Sequence, residues 1–146
     1  MPLYFAYGAN LNVEAMRARC PHSAPLGPAR LMGYRLASMR EGWLTVARAA
    51  NGCVHGLLWD LALADVAPLD RFEGVAEGLY VKRPEPVLTR DGPKRALVYF
   101  GTNHGPGEPR AAYLAEVIAA AEAARLPPQA IEALRSLAAD RRGRSD

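Results

Sequence analysis

Two stretches of this chain carry residue types that could do chemistry. The first is Tyr4-Phe5-Ala6-Tyr7-Gly8-Ala9-Asn10-Leu11-Asn12. An apolar, strand-favouring run over Leu3 to Tyr7 breaks at Gly8, where the backbone can turn or approach a ligand. Asn10 and Asn12 are both suited to cap the helical turns expected over Val13 to Arg19, which Pro21 stops. A helix start presents unpaired N–H groups and favours negative charge, so this stretch could cradle a carboxylate or a carbonyl oxygen. Taken alone, an ordinary strand-to-helix turn is the simpler reading. Neither the dinucleotide nor the P-loop glycine pattern is present.

The second stretch runs from Leu69 to Tyr80 and centres on Glu73-Gly74. Glu73 lies between an apolar helical face and a glycine, with Phe72 and Val75 as neighbours. Partial desolvation there would raise its pKa toward a range useful for a general base. A surface glutamate at a helix end would read the same way, and Asp70 and Glu77 are rivals within about a turn.

Other chemistries find less support. The three histidines show no metal-ligand spacing, and Cys20 and Cys53 stand alone, as reduced, half-buried side chains of a cytoplasmic protein would. The formal charge of +3 is spread out, apart from Arg141-Arg142-Gly143-Arg144 near the end. No aromatic-basic interleaving points to nucleic acid, and no signal peptide or membrane-spanning apolar run is expected.

The elements that must position these residues follow from the periodicity. Half of the 146 residues are apolar, enough for the core of one domain over 1–139, with a disordered basic tail over 140–146. Pro21 to Pro28 reads as a loop. Strands are expected over Ala29–Met39, Trp43–Ala49 and Val54–Leu61, with Asn51-Gly52 as a hairpin turn. A short helix interrupted by Pro68 follows over Ala62–Phe72. Two further strands are expected at Leu79–Thr89, marked as an edge or bulge by Pro84 and Pro86, and at Lys94–Thr102. Pro109 suits the first position of a helix over Arg110–Ala124, and a last amphipathic helix carries Ile131, Leu134, Leu137 and Ala138. The fold class is α+β, a small mixed, barrel-like sheet with flanking helices.

Taken together, the motifs resemble the γ-glutamylcyclotransferase family. Tyr7-Gly8-Ala9-Asn10-Leu11 is similar to its Tyr-Gly-Ser-Asn-Leu signature, and Leu69-Asp70, Glu73-Gly74-Val75 and Gly78-Leu79-Tyr80 resemble the segment carrying its catalytic glutamate. The resemblance continues through Gly33-Tyr34-Arg35-Leu36, Val54 to Trp59, Tyr99 to Asn103 and Tyr113-Leu114. The departure is Ala9 where serine is common. It costs little if the backbone N–H is what matters and lowers affinity if the hydroxyl is.

The resemblance implies an enzyme that converts γ-glutamyl amino acids to 5-oxoproline and a free amino acid. The substrate's own α-amine attacks its γ-amide carbonyl, so holding the attack geometry supplies much of the acceleration. By resemblance Glu73 is the general acid and base, and the backbone N–H groups of Gly8, Ala9, Asn10 and Leu11 hold the glutamyl carboxylate. Tyr7, Tyr80 and Tyr113 offer hydroxyls to the pocket wall, and each would serve equally as a core residue with a polar tip. Asn10 either orients the substrate or caps the helix, with capping preferred, and its place before Leu11 matches the branch acting on γ-glutamyl amino acids. No cofactor or metal is required. The expected partner is a small γ-glutamyl substrate, not nucleic acid or membrane, and a homodimer is compatible with the chain's size. The alternatives are a cyclotransferase for another γ-glutamyl amide (a γ-glutamylamine or glutathione) and a non-catalytic module binding a small acidic ligand.

Overall fold

The computed structural model describes residues 2–144, with side chains described as far as residue 138. Five strands close into a barrel: β1 (Leu3–Ala6), β2 (Ala24–Ser38), β3 (Leu44–Asp60), β4 (Tyr80–Thr89) and β5 (Gly92–Gly101), in the order β1-β3-β2-β4-β5. β1 runs antiparallel to β3, from Leu3↔Asp60 to Ala6↔Leu57, and parallel to β5 at Tyr4↔Leu97. The sheet is therefore mixed, as expected. Phe5, Leu31, Val46, Trp59 and Val98 are buried in the core with almost no exposure, Phe5 and Trp59 on opposite faces of the sheet.

Four helices flank the barrel: α1 (Val13–Arg19), α2 (Leu63–Glu73), α3 (Ala111–Ala123) and α4 (Pro128–Arg144). The tail expected over 140–146 falls on residues whose side chains, and at 145–146 also the backbone, lie outside the described residues. No helix among the described residues is long and apolar enough to cross a membrane.

Several local expectations are overturned by pairing. The Pro21–Pro28 loop is a strand from Ala24 onward, with Ala24↔Asp60 and Pro25↔Trp59 paired. The register shifts between Pro25 and Gly27, an irregularity that accommodates a residue with no N–H to donate. Asn51-Gly52 does not turn a hairpin. The stretches before and after it pair with the same neighbour, Val46↔Leu36 on one side and Cys53↔Met32 on the other. Residues 49–52 are extra length in β3 opposite a shift between Met32 and Tyr34. Gly52 fits there because a Cβ would lie 2.2 Å from the Tyr34 carbonyl oxygen. The three expected strands are thus two long ones.

Pro84 and Pro86 lie within β4, which pairs along its length with β5, while a single register pair, Arg30↔Leu88, joins it to β2. Two prolines are tolerated because one side of the strand carries few ladder bonds. Arg110, not Pro109, precedes α3 as its cap. The cysteines also differ from expectation: Cys20 is fully buried and Cys53 exposed.

Candidate active site

The chain leaves β1 at Tyr7 and makes a short 3-10 turn over Ala9–Leu11 before α1. The Leu11 N–H closes on the Gly8 carbonyl at 3.0 Å and the Asn12 N–H on that of Ala9 at 3.2 Å. Both donors are thereby used internally. The N–H groups of Gly8, Ala9 and Asn10 are left without a backbone acceptor among the described residues. Asn12, which is exposed, caps α1 by accepting from the Ala15 N–H at 3.1 Å. The capping role preferred for Asn10 is therefore corrected. Asn10 is buried, donates to the Tyr4 hydroxyl at 3.0 Å and accepts from the Arg19 guanidinium. A buried amide must find internal partners, and Asn10 finds them in Tyr4 and Arg19, while Asn12 serves the helix start.

These residues face a cavity of about 350 Å³, within the size range of small-molecule sites. Tyr7, Gly8, Ala9, Asn10, Tyr80, Tyr113 and Glu73 all line it. Leu11 does not; it is buried in the core behind the turn.

Glu73 is the last residue of α2. Gly74 follows in the left-handed region at φ 67°, and the N–H groups of Gly74 and Val75 bond back to the carbonyls of Arg71 and Asp70 at 3.2 and 3.1 Å. Glycine adopts this conformation without a Cβ clash, so the helix stops with Glu73 at the cavity wall. Its carboxylate has no hydrogen bond or ion pair to any described residue. Burial pushes its pKa up to about 7; the Arg19 charge opposes this and the Asp70 charge adds to it. A carboxylate at a helix C-terminus also meets the negative end of the helix dipole.

The rivals stand differently. Asp70 is bound by Lys82 at 2.8 and 3.0 Å and by the Tyr99 hydroxyl at 2.6 Å. Glu77 is exposed and does not line the cavity.

The tyrosines are oriented by backbone groups. Tyr7 donates its hydroxyl to the Tyr99 carbonyl at 2.6 Å. Tyr80 donates to the Leu44 carbonyl at 2.5 Å, while the Leu44 N–H donates to the Tyr113 hydroxyl at 3.3 Å. Burial raises the pKa of all three, Tyr113 to about 12, so they stay protonated near neutral pH.

Sequence reasoning missed Arg19, Phe72 and Trp43 as cavity residues. The Arg19 guanidinium stacks 3.6 Å from the centre of the Phe72 ring. Its position in the last turn of α1, where a cation is ordinary, hid it. Trp43 packs edge-on to Tyr113 with centroids 5.0 Å apart. Among the described residues no group of three or more His, Cys, Asp or Glu is placed to hold a metal ion.

Comparison with known proteins points one way. The family model for gamma-glutamyl cyclotransferase, AIG2-like, matches residues 4–116. The chain is similar to the gamma-glutamylcyclotransferase of Mus musculus, 30% identical, with 92% of this chain and 78% of that protein covered. It is 29% identical to that of Homo sapiens over the same shares. A solved structure titled gamma-glutamyl cyclotransferase superposes with a TM-score of 0.84 at 28% identity, covering 92% of this chain and 86% of the other.

Proposed function

Because the chain belongs to the gamma-glutamyl cyclotransferase, AIG2-like family, we propose that it cyclises γ-glutamyl amino acids to 5-oxoproline with release of the amino acid. The observation that carries this reading is Glu73: an unpaired carboxylate on the cavity wall with its pKa raised to about 7. A group so tuned accepts a proton readily near neutrality and gives it back as readily.

The chemistry needs such a group once in each direction. The α-amine nitrogen of the γ-glutamyl residue bonds to its own γ-carbonyl carbon, and Glu73 takes a proton from that nitrogen. The amide C–N bond then breaks, and Glu73 returns the proton to the leaving nitrogen. The free N–H groups of Gly8, Ala9 and Asn10 supply hydrogen bonds to substrate oxygens. Because this role is filled by the backbone, Ala9 in place of the family's serine leaves it intact. The aromatic walls restrict the flexible glutamyl chain to folded conformers, and that restriction supplies much of the acceleration.

The test is 5-oxoproline release from a panel of γ-glutamyl compounds. Dipeptides of alanine and glutamine are expected to give the highest kcat/KM, above γ-glutamyl amines and glutathione. A tenfold lead for glutathione or an amine, about 1.4 kcal/mol of transition-state preference, would reassign the substrate but keep the reaction. No 5-oxoproline from any compound would leave a binding module for a small acidic ligand.

A further inference from the structure

We propose that Arg19 is the receptor for the α-carboxylate of the γ-glutamyl group, and so the residue that makes the site require a glutamyl substrate. The proposal rests on the cyclotransferase reading of the pocket given above.

Four observations converge on it. Arg19 is the one basic side chain lining the cavity, and it is half-buried there. No described carboxylate lies within ion-pair distance of it. Two fixed neighbours hold its plane: the Phe72 ring beneath it at 3.6 Å and the Asn10 side-chain oxygen at one Nη1. The remaining donors of the fork have no protein acceptor. A partly desolvated guanidinium with free, pre-oriented donors suits a planar carboxylate.

The position is also right. Asn10 is both a partner of Arg19 and a member of the 3-10 turn, and Arg19 lines the same cavity as Gly8, Ala9 and Asn10, whose N–H groups are free. Phe72 is next to Glu73 in the chain. A carboxylate on Arg19 and the turn therefore sits close to the base. The α-amine, on the same carbon as that carboxylate, is brought near Glu73. The Leu11 N–H, committed within the turn, is not needed for this. A purely structural role at the end of α1 is equally open to Arg17, which is exposed and in the same last turn.

The experiment pairs two substrates that differ only in the carboxylate. γ-Glutamyl-alanine cyclises to 5-oxoproline; 4-aminobutyryl-alanine lacks the α-carboxylate and cyclises by the same bond changes to 2-pyrrolidinone, each releasing alanine. In the wild type the glutamyl compound is expected to lead by tenfold or more in kcat/KM. Compared on the pH plateau above the acid limb, where Glu73 is ionised in both proteins, Arg19→Met should erase that lead, lowering turnover of γ-glutamyl-alanine roughly tenfold or more while 4-aminobutyryl-alanine changes less than about twofold. Arg17→Met is the control and should preserve the lead. If Arg19→Met does not fold, judged by circular dichroism, Arg19→Lys is read instead. A point charge without the planar fork should give a smaller loss, still confined to the glutamyl compound. Equal losses on both substrates, or none on either, would overturn the proposal.

A second readout separates this proposal from the function it rests on. Calorimetry compares binding of 5-oxoproline and 2-pyrrolidinone to wild type and Arg19→Met. Tighter binding of 5-oxoproline, lost in the variant, supports the carboxylate receptor even if no substrate turns over. Equal affinity for the two lactams in the wild type defeats it even if the enzyme is an active cyclotransferase.

Discussion

The hydroxyl of Tyr99 donates to Asp70 at 2.6 Å, and Lys82 closes on the same carboxylate at 2.8 Å. Asp70 lies three residues before Glu73 in one helix. One acid is paired with a lysine and a tyrosine, while the other faces the cavity unpaired with a raised pKa. Different surroundings divide the roles of two nearby carboxylates: one is taken up by its hydrogen-bond partners, the other is left free to exchange protons.

Replacing Glu73 by glutamine should therefore lower kcat by a hundredfold or more, the range for loss of a general acid-base group, with KM changed only a few-fold. Shape and polarity are kept and only the proton-accepting oxygen is lost. Single-turnover measurement of 5-oxoproline checks this, and near-normal turnover would remove Glu73 from the mechanism. Glu77→Gln should be close to neutral.

The pH profile should shift with the charges around Glu73. Activity requires the ionised carboxylate, so its acid limb should have a midpoint near 7. Asp70 disfavours ionisation, so Asp70→Asn should move that limb to lower pH; Arg19 favours it, so Arg19→Met should move it higher. Measuring all variants on one substrate cancels the contribution of the substrate amine. A limb that stays fixed in both variants would mean another group titrates.

The same raised pKa predicts a stability effect of opposite sense to the catalytic one. The folded protein holds the Glu73 proton up to about pH 7, whereas the ordinary carboxyl value is 4.5. Stability from this group is therefore full below the lower value, falls as pH rises between the two, and is flat above about 7. The loss at pH 8 is about 1–3 kcal/mol after allowance for partial exposure. Glu73→Gln removes it, so its Tm should exceed that of the wild type by about 3–8 °C at pH 8 and match it near pH 4. Differential scanning calorimetry at both pH values decides the point.

Gly8→Val should raise KM. A Cβ at Gly8 would already come within 3.2 Å of the Tyr113 hydroxyl. A branched side chain must displace that tyrosine and fill part of the cavity beside the free N–H groups. A several-fold rise in KM with an unaltered circular dichroism spectrum is expected. An unchanged KM in the folded variant would place the substrate elsewhere.

What the sequence disclosed depended on how local the cause was. Glu73 before Gly74, and a strand ending at Gly8, are adjacent-residue signals, and the elements form where those signals place them. The Asn51-Gly52 turn failed because its signal is also local while the outcome was not: both flanking stretches pair with β2, and the dipeptide was absorbed as extra length. Choosing between Asn10 and Asn12 required burial, which is a tertiary property. Arg19 could not be picked out at all, because its neighbours Phe72 and Glu73 come from a distant helix.

The peptide unit at Leu44 has a consequence for substitutions at the two tyrosines it orients. Its carbonyl engages the hydroxyl hydrogen of Tyr80, and its N–H engages the hydroxyl oxygen of Tyr113. To a bound molecule the first ring thus presents only lone pairs, while the second still has a hydrogen to give. Identical changes to phenylalanine at these positions are chemically unlike: at Tyr80 the change strands a main-chain acceptor, whereas at Tyr113 it strands a main-chain donor and also withdraws a hydrogen from whatever occupies the cavity. The direction of the chain through one leucine turns two equal side chains into opposite surfaces.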